Sequence, residues 1–321
     1  MKLQLGIDFG GSYVSICKKG EGIVFKEPSL ISVKGKNSKY HIIAMGNEAK
    51  KNQSKIFENT LVFSPFSEAL VKSVDYASSY LKYALAKIFK SVPYSKINCT
   101  VAVPSGISQE EENKYLQVCN IAGIKNAKTV KSIICTGISC RINPANAFPM
   151  LIADIGGSKT DVGIVSNNSI LQGATLGLGG TSMDNSIVEI VRKKYNMEID
   201  EPTAEMIKKN IGSLYSNDTL KLEVVGLDLS TEAPNSTVVY SKDIRESILP
   251  YFEEIVKIIK ATLAELKEDE EELVLKNGLI LSGGIIGISG IEKYFVDKLG
   301  LKTITNDYAE NAVVIGLSKV I

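Results

Sequence analysis

Apolar and polar residues alternate along this chain in short runs that stop at glycine pairs. Over residues 3–9 the apolar positions are Leu3, Leu5, Ile7 and Phe9, the period of a half-buried strand. Gly10 and Gly11 follow as a tight turn, and residues 13–17 return as a second strand. A further turn, Lys19-Gly20-Glu21-Gly22, leads to a third strand at 23–25. Residues 151–165, LIADIGGSKTDVGIV, repeat the form. An apolar run ends at Asp154, turns on Gly156 and Gly157, and resumes through Val162 and Val165. The stretches LGIDFGGS and IADIGGS read as an internal repeat at a domain-length spacing. A third glycine turn, Ser282-Gly283-Gly284, closes a buried strand at 279–281 ahead of a helix at 291–299.

Between these turns the period changes. Residues 28–65 are polar and suggest a small inserted subdomain of short strands. Helical spacing from Ser67 through Leu70, Val74, Ala77, Leu81, Ala84, Ile88 and Phe89 predicts one core-facing helix, ended by Pro93. A buried strand at 97–103 precedes a helix that opens with the capping box Ser108 and Glu111 and ends at Gly123. A helix is expected over 133–142, another capped by Thr181 with Asp184, and a short one capped by Thr203 and ending at Gly212. Residues 220–239 read as strands. Ser241 starts a long helix with Ile244, Ile248, Phe252, Ile255, Ile259 and Leu263 on one stripe and Pro250 near its start. The acidic run from Glu268 to Glu272 reads as a solvated loop, and a last helix begins at Ala312.

Composition narrows the function. The chain has 321 residues, a soft prior for two domains, with 44% hydrophobic and 23% charged residues and a net charge of +1. No bulk electrostatics point to nucleic acid. Five cysteines without CxxC spacing read as reduced core thiols. The one histidine, His41, excludes a multi-histidine metal site and most Ser-His chemistry. No signal peptide is evident and no apolar run reaches about 18 residues. The expected location is the cytoplasm.

The chemistry sits at the glycine turns. Glycine lets backbone N–H groups approach phosphate oxygens closely. Two such hairpins, one from each domain, can grip phosphates from opposite sides. Asp8 and Asp154, each just before a turn, can hold Mg²⁺ through its waters. The third turn lets a purine lie against backbone. A nucleotide in an interdomain cleft follows from this arrangement. The competing reading is an α/β protein whose glycine turns are only turns.

Six stretches then carry a resemblance. They are GIDFGGSYVSICKKGEGIVFKEPSLISV at 6–33, VAVPSGISQEEE at 101–112, LIADIGGSKTDVGIV, LGLGGTSMDNSIVEIVRKKYN at 176–196, PTAEMIKKNIGS at 202–213 and GLILSGG at 278–284. In this order, over essentially the whole chain, they resemble the actin, sugar-kinase and heat-shock-chaperone ATPase superfamily. Within it they resemble the MreB bacterial actins. The resemblance implies an α/β, actin-like two-domain fold: duplicated RNase H-like domains around a nucleotide cleft, each with a small insertion. The first large unit would comprise 1–31, 66–143 and 303–321, with 32–65 inserted. The second would comprise 144–181 and 241–302, with 182–240 inserted.

By similarity, Asp8 and Asp154 would position Mg²⁺. Gly10, Gly11, Ser12 and Tyr13, and Gly156, Gly157, Ser158 and Lys159, would wrap the phosphates of ATP or ADP. Glu205 and Lys208, on one helical face, would meet the ribose and purine; the competing reading for them is an exposed ion pair. Gly283, Gly284 and Ile285 would back the nucleoside.

The departures from the family pattern bear on catalysis. The first loop usually reads Gly-Thr-Ala-Asn-Thr and here reads Gly10-Gly11-Ser12-Tyr13-Val14. Ser132 stands where the family has a glutamate, and Lys159 where it has a threonine. In the family that pair orients and polarises the attacking water. Hydrolysis needs a water in line with the γ-phosphate and an acceptor for its proton. Serine is no base at neutral pH, and an ammonium is donor-only. Weak ATP hydrolysis is therefore expected.

The implied function is a cytoskeletal protein that polymerises head to tail into filaments, single or paired, supporting cell shape or helicity. Other MreB paralogues are candidate partners. The Ser132 and Lys159 pairing resembles the divergent paralogues of wall-less Spiroplasma. The alternative is an ATP-dependent small-molecule kinase of the same superfamily, though no substrate-binding carboxylate motif is evident. A chaperone would need a peptide-binding domain, which the chain does not show. For membrane association the candidate is region 85–96, where Ile88, Phe89, Val92 and Tyr94 mix with Lys87, Lys90 and Lys96. A helix end followed by a loop explains the same residues.

Overall fold

The computed structural model describes residues 3–36, 39–53, 59–140, 149–167 and 169–321. Two five-stranded sheets organise them. In the first, Leu3–Phe9 pairs antiparallel with Tyr13–Lys18, which pairs with Gly22–Pro28. On its other side Leu3–Phe9 runs parallel to Ile97–Val103, and that strand to Asn126–Lys131. The second sheet has the same plan. Met150–Ile155, Thr160–Ser166 and Ser169–Leu176 form the antiparallel meander. Leu279–Ser282 and Thr303–Thr305 add the parallel strands. The repeat read from two short motifs is thus a repeat of whole sheets. Each meander is local in sequence, whereas each parallel strand requires a crossover that covers the sheet with helices.

Two smaller three-stranded sheets lie outside the large ones. Ile31–Lys36, Lys39–Met45 and Thr60–Phe63 form a small sheet. Met197–Glu198, Lys221–Asp228 and Ala233–Tyr240 form another, flanked by the helices Gly180–Tyr195 and Glu201–Ile211. Among the described residues neither insertion has a core of its own. Met183, Ile187, Ile207, Val224 and Val239 pack in one cluster with Leu151, Ile164, Phe252 and Phe295. Ile31 and Val33 join the cluster around Leu5, Ile7 and Leu81.

Several boundaries move. The expected helix from Ser67 is two short strands, Phe66–Ser67 and Leu70–Val71, before a helix at Val74–Ile88. Glu68 and Ala69 turn the chain through positive φ, and the Ser73 side chain accepts from the Tyr76 N–H to cap the helix. The helix expected to start at Ile133 is Ser132–Ser139; residues 141 and 142 lie outside the described residues. Of the expected capping box at Ser108, the bond from the Glu111 N–H to Ser108 is present. Asp200, not Thr203, caps Glu201–Ile211, accepting from the Thr203 N–H at 2.9 Å. The acidic run is no loop: it forms the first turn of the helix Glu268–Asn277, where carboxylates face the positive end of the dipole. Thr303–Thr305 pairs into the second sheet, so the return to the first unit comes after residue 305, with the helix Ala312–Val320. That helix packs against Ser132–Ser139 and against Leu3–Phe9 and Tyr13–Lys18.

Cys17, Cys99, Cys119 and Cys135 are buried free thiols, and Cys140 is partly buried. Phe89, the apolar centre of the region considered for membrane contact, is 9% exposed and joins the first core. Lys87 beside it pairs with Glu27 at 2.6 Å. Region 85–96 is thus the end of a core helix, at Ile88, followed by a short connection and a 3-10 turn at Tyr94–Lys96. No helix among the described residues is long and apolar enough to cross a membrane.

Candidate functional site

The two repeated hairpins face each other, and their glycines let the loops touch. A Cβ on Gly11 would fall 1.8 Å from Ser158 Oγ, and one on Gly157 would fall 1.7 Å from Ser12 Oγ. Each serine thus fills the space that the opposite glycine leaves. Ser29 fastens the first loop from behind, its hydroxyl donating to the Gly11 carbonyl at 2.5 Å. The Gly156 N–H closes the second loop on the Lys159 carbonyl at 2.9 Å. Of the first loop's expected residues, Tyr13 is exposed, at 37%, with the Lys26 ammonium 5.1 Å from its ring centre.

Asp8 and Asp154 are each the next-to-last residue of their strands, half-buried beside the turn. Burial pushes the Asp8 carboxyl up to about 6, opposed by Lys159 and reinforced by Asp154. Burial also raises Asp154, opposed by Lys159 and by a hydrogen bond from Thr136 Oγ1 at 2.9 Å. Two carboxylates whose charge is costly where they stand are what a divalent cation relieves. Few protein ligands beside several waters suit Mg²⁺. The residues present fit that ion.

The helix Gly180–Tyr195 starts against the second loop. Its Gly180 and Thr181 N–H groups donate to the carbonyls of Gly156 and Gly157 at 3.0 and 2.7 Å. The expected Thr181 cap is therefore absent. Gly179 takes the cap position, where a side chain would collide with the Gly156 carbonyl at 2.6 Å. Asp184 turns instead to Lys208, whose buried ammonium lies 2.7 Å from it and donates to the Gly180 carbonyl at 2.8 Å. A Cβ on Gly180 would meet both Lys208 Nζ and the Ile285 side chain. Lys208, Gly180 and Ile285 thus converge, and the Ile285 N–H donates to the Ile155 carbonyl at 3.3 Å. Gly283, at φ +91°, lies so close to the Ile155 carbonyl and Asp154 that a side chain there is excluded, whereas Gly284 faces open space. Glu205 does not pair with Lys208. It bonds Lys209 at 2.6 Å and faces Lys50 of the first insertion at 3.5 Å.

The two unusual positions meet. Lys159 Nζ donates to Ser132 Oγ at 2.9 Å, and Ser132 Oγ donates to Asp161 Oδ2 at 2.6 Å. Asp161 is fully buried and was missed by sequence reasoning, as were its other partners Ser105 and Thr175, and Thr136 on Asp154. The available signal was a carboxylate inside the strand Thr160–Ser166, all of whose residues are buried.

The MreB/Mbl family model matches residues 2–321. The chain belongs to the MreB/Mbl family. Relatives of this MreB/Mbl chain include the cell shape-determining proteins MreB of Pasteurella multocida and Mbl of Bacillus cereus. The first is 27% identical over 95% of this chain and 88% of its own length. The second is 24% identical over 98% and 94%. Among solved structures, MreB5 of Spiroplasma citri bound to AMPPNP superposes at TM-score 0.92. It is 26% identical and covers 100% of this chain and 96% of its own. The MamK double helical filament, at 17% identity and TM-score 0.82 over 99% and 98% of the two chains, shares the fold. The actin-like α/β fold expected from the motifs is therefore present, and the match over the whole chain does not favour a small-molecule kinase.

Proposed function

We propose that this protein is an actin-like cytoskeletal subunit that binds ATP with Mg²⁺ between its two glycine hairpins, assembles into filaments and hydrolyses ATP slowly. Family membership supports the role in cell shape, and the S. citri relative is a nucleotide complex, solved with AMPPNP and with ADP. Asp8 and Asp154 would hold the Mg²⁺, which supplies positive charge to the phosphates. Gly10, Gly11, Ser12 and Ser158 shape the phosphate site, and Lys208, Gly283, Gly284 and Ile285 the nucleoside side.

The contact between Lys159 and Ser132 carries the reading of slow hydrolysis. A water-activating pair needs an acceptor free to take a proton. The Ser132 hydroxyl already donates to Asp161 and accepts from Lys159. Loss of a general base typically costs about 10²–10⁴-fold in the chemical step. Long-lived ATP filaments would follow, cytoplasmic, with head-to-tail contacts between copies and with other MreB paralogues as further partners.

Phosphate release measured alongside sedimentation tests this. ATP is expected to drive pelleting above a critical concentration while phosphate appears slowly. Ser132→Glu combined with Lys159→Thr should raise turnover by at least tenfold. Rapid turnover in the natural chain would overturn the slow-hydrolysis reading, and ATP with no effect on pelleting would overturn the filament role.

A further inference from the structure

Asp161 lies in the middle of a hydrogen-bond cluster of which the slow-hydrolysis reading uses only the bonds at Ser132. Its carboxylate is fully buried. It accepts from Ser132 Oγ at 2.6 Å, Thr175 Oγ1 at 2.8 Å, Ser105 Oγ at 3.1 Å and the Ser105 N–H at 3.2 Å. The Lys159 ammonium approaches the same Oδ2 at 3.5 Å. Ser105 and Ser132 belong to the first unit, Lys159, Asp161 and Thr175 to the second. A carboxylate at such a position is tolerated only when its oxygens are paired, and here each is.

Lysine carries its charge on a flexible four-carbon stem, so an ammonium at a phosphate loop needs a tether to hold one place. Ser132 supplies it. A hydroxyl has one donor, which it spends on Asp161, and lone pairs, one of which receives Lys159. Asp161 therefore sets the hydroxyl, and the hydroxyl sets the ammonium. An ammonium has three N–H donors. Ser132 and Asp161 account for two, which leaves one for a phosphate oxygen.

We propose that Asp161, acting through Ser132, is the positioning residue that fixes Lys159 as a built-in positive charge for the terminal phosphate, so that preference for ATP over ADP depends on this tether. The inference rests on the proposed nucleotide site. It also gives the lysine a role of its own, beyond the loss of the family's threonine.

The test is the ratio of ATP to ADP affinity, measured with fluorescent nucleotides in Mg²⁺, with thermal midpoints recorded for each variant. Ser132→Ala removes the relay without altering charge, and Asp161→Asn removes the anchor. Each is expected to lower the ATP preference about threefold to tenfold, the loss of one charge-assisted hydrogen bond. In a Lys159→Met background, where no ammonium remains to be placed, neither should change the ratio further. A purely structural Asp161 would shift the midpoint and weaken both nucleotides alike. That result, or an effect that persists beside Lys159→Met, overturns the proposal. Should Asp161→Asn not fold, Ser132→Ala decides: an unchanged ratio overturns the tether. Failure of the natural chain to bind either nucleotide would overturn the nucleotide site itself, and the tether with it.

Discussion

Glu27 shows how a single buried carboxylate joins an insertion to its parent unit. It is 8% exposed and accepts from Lys87 Nζ at 2.6 Å, Tyr83 Oη at 2.8 Å and the Asn47 N–H at 3.2 Å. Burial would raise its pKa, but these donors outweigh burial and lower it. Glu27→Gln is expected to cost about 1–2 kcal/mol at neutral pH, read as a lower denaturant midpoint. Because the folded pKa lies below the unfolded value near 4.5, this stabilisation is complete above that pH. It is lost as pH falls through the folded value, so natural chain and variant should converge in acid; a gap that widens there would contradict the assignment. At this scale the sequence was legible where a residue type is unusual in its motif. Ser132 and Lys159 stood out against a known pattern. Asp161 did not, because its meaning comes from Ser105 and Thr175, distant in sequence and adjacent only after folding.

Among elements, period and punctuation worked best when the helix was long or the strand ended at glycine. Ser241–Ala264 starts at Ser241 and carries the apolar stripe that its spacing predicts, and Ile291–Leu299 has the predicted bounds. The misreadings have local causes. At 67–73 apolar spacing continued through a turn that Glu68 and Ala69 impose and Ser73 ends. At Thr181 a capping residue was available, yet the loop carbonyls of Gly156 and Gly157 had already satisfied the first N–H groups. Phe89 makes the same point energetically. Its ring lies at the edge of the first core, with Lys18 Nζ 6.0 Å from its centre. Phe89→Ser should destabilise the chain by about 3 kcal/mol or more, visible in thermal unfolding. Liposome co-sedimentation is expected to be the same for both proteins while they remain folded. A variant as stable as the natural chain would show that Phe89 is not a core residue.

For the molecule as a whole, the two insertions meet across the cleft. Gln53 Nε2 donates to Glu201 at 2.7 Å, and Lys50 faces Glu205 at 3.5 Å. Both contacts join the segment between the strands Lys39–Met45 and Thr60–Phe63 of the first small sheet to the helix Glu201–Ile211. Exposed pairs of this kind are worth about 0–1 kcal/mol each. Lys50→Ala with Gln53→Ala is therefore expected to speed nucleotide release roughly twofold to tenfold in stopped-flow measurements, leaving the thermal midpoint nearly unchanged. An unaltered release rate would show that the contacts do not gate the cleft. The sequence by itself determined the duplicated strand–glycine–strand units, the family and the two altered positions Ser132 and Lys159, because turns, periodicity and motifs are local properties of the chain. Tertiary structure alone decided that Thr303–Thr305 joins the second sheet and that Lys208 turns to Asp184. It likewise decided that Ser132, Lys159 and Asp161 form one cluster. Strand partners and the partners of buried charges are chosen by which surfaces packing brings together, and buried charge is tolerated only where those partners are found.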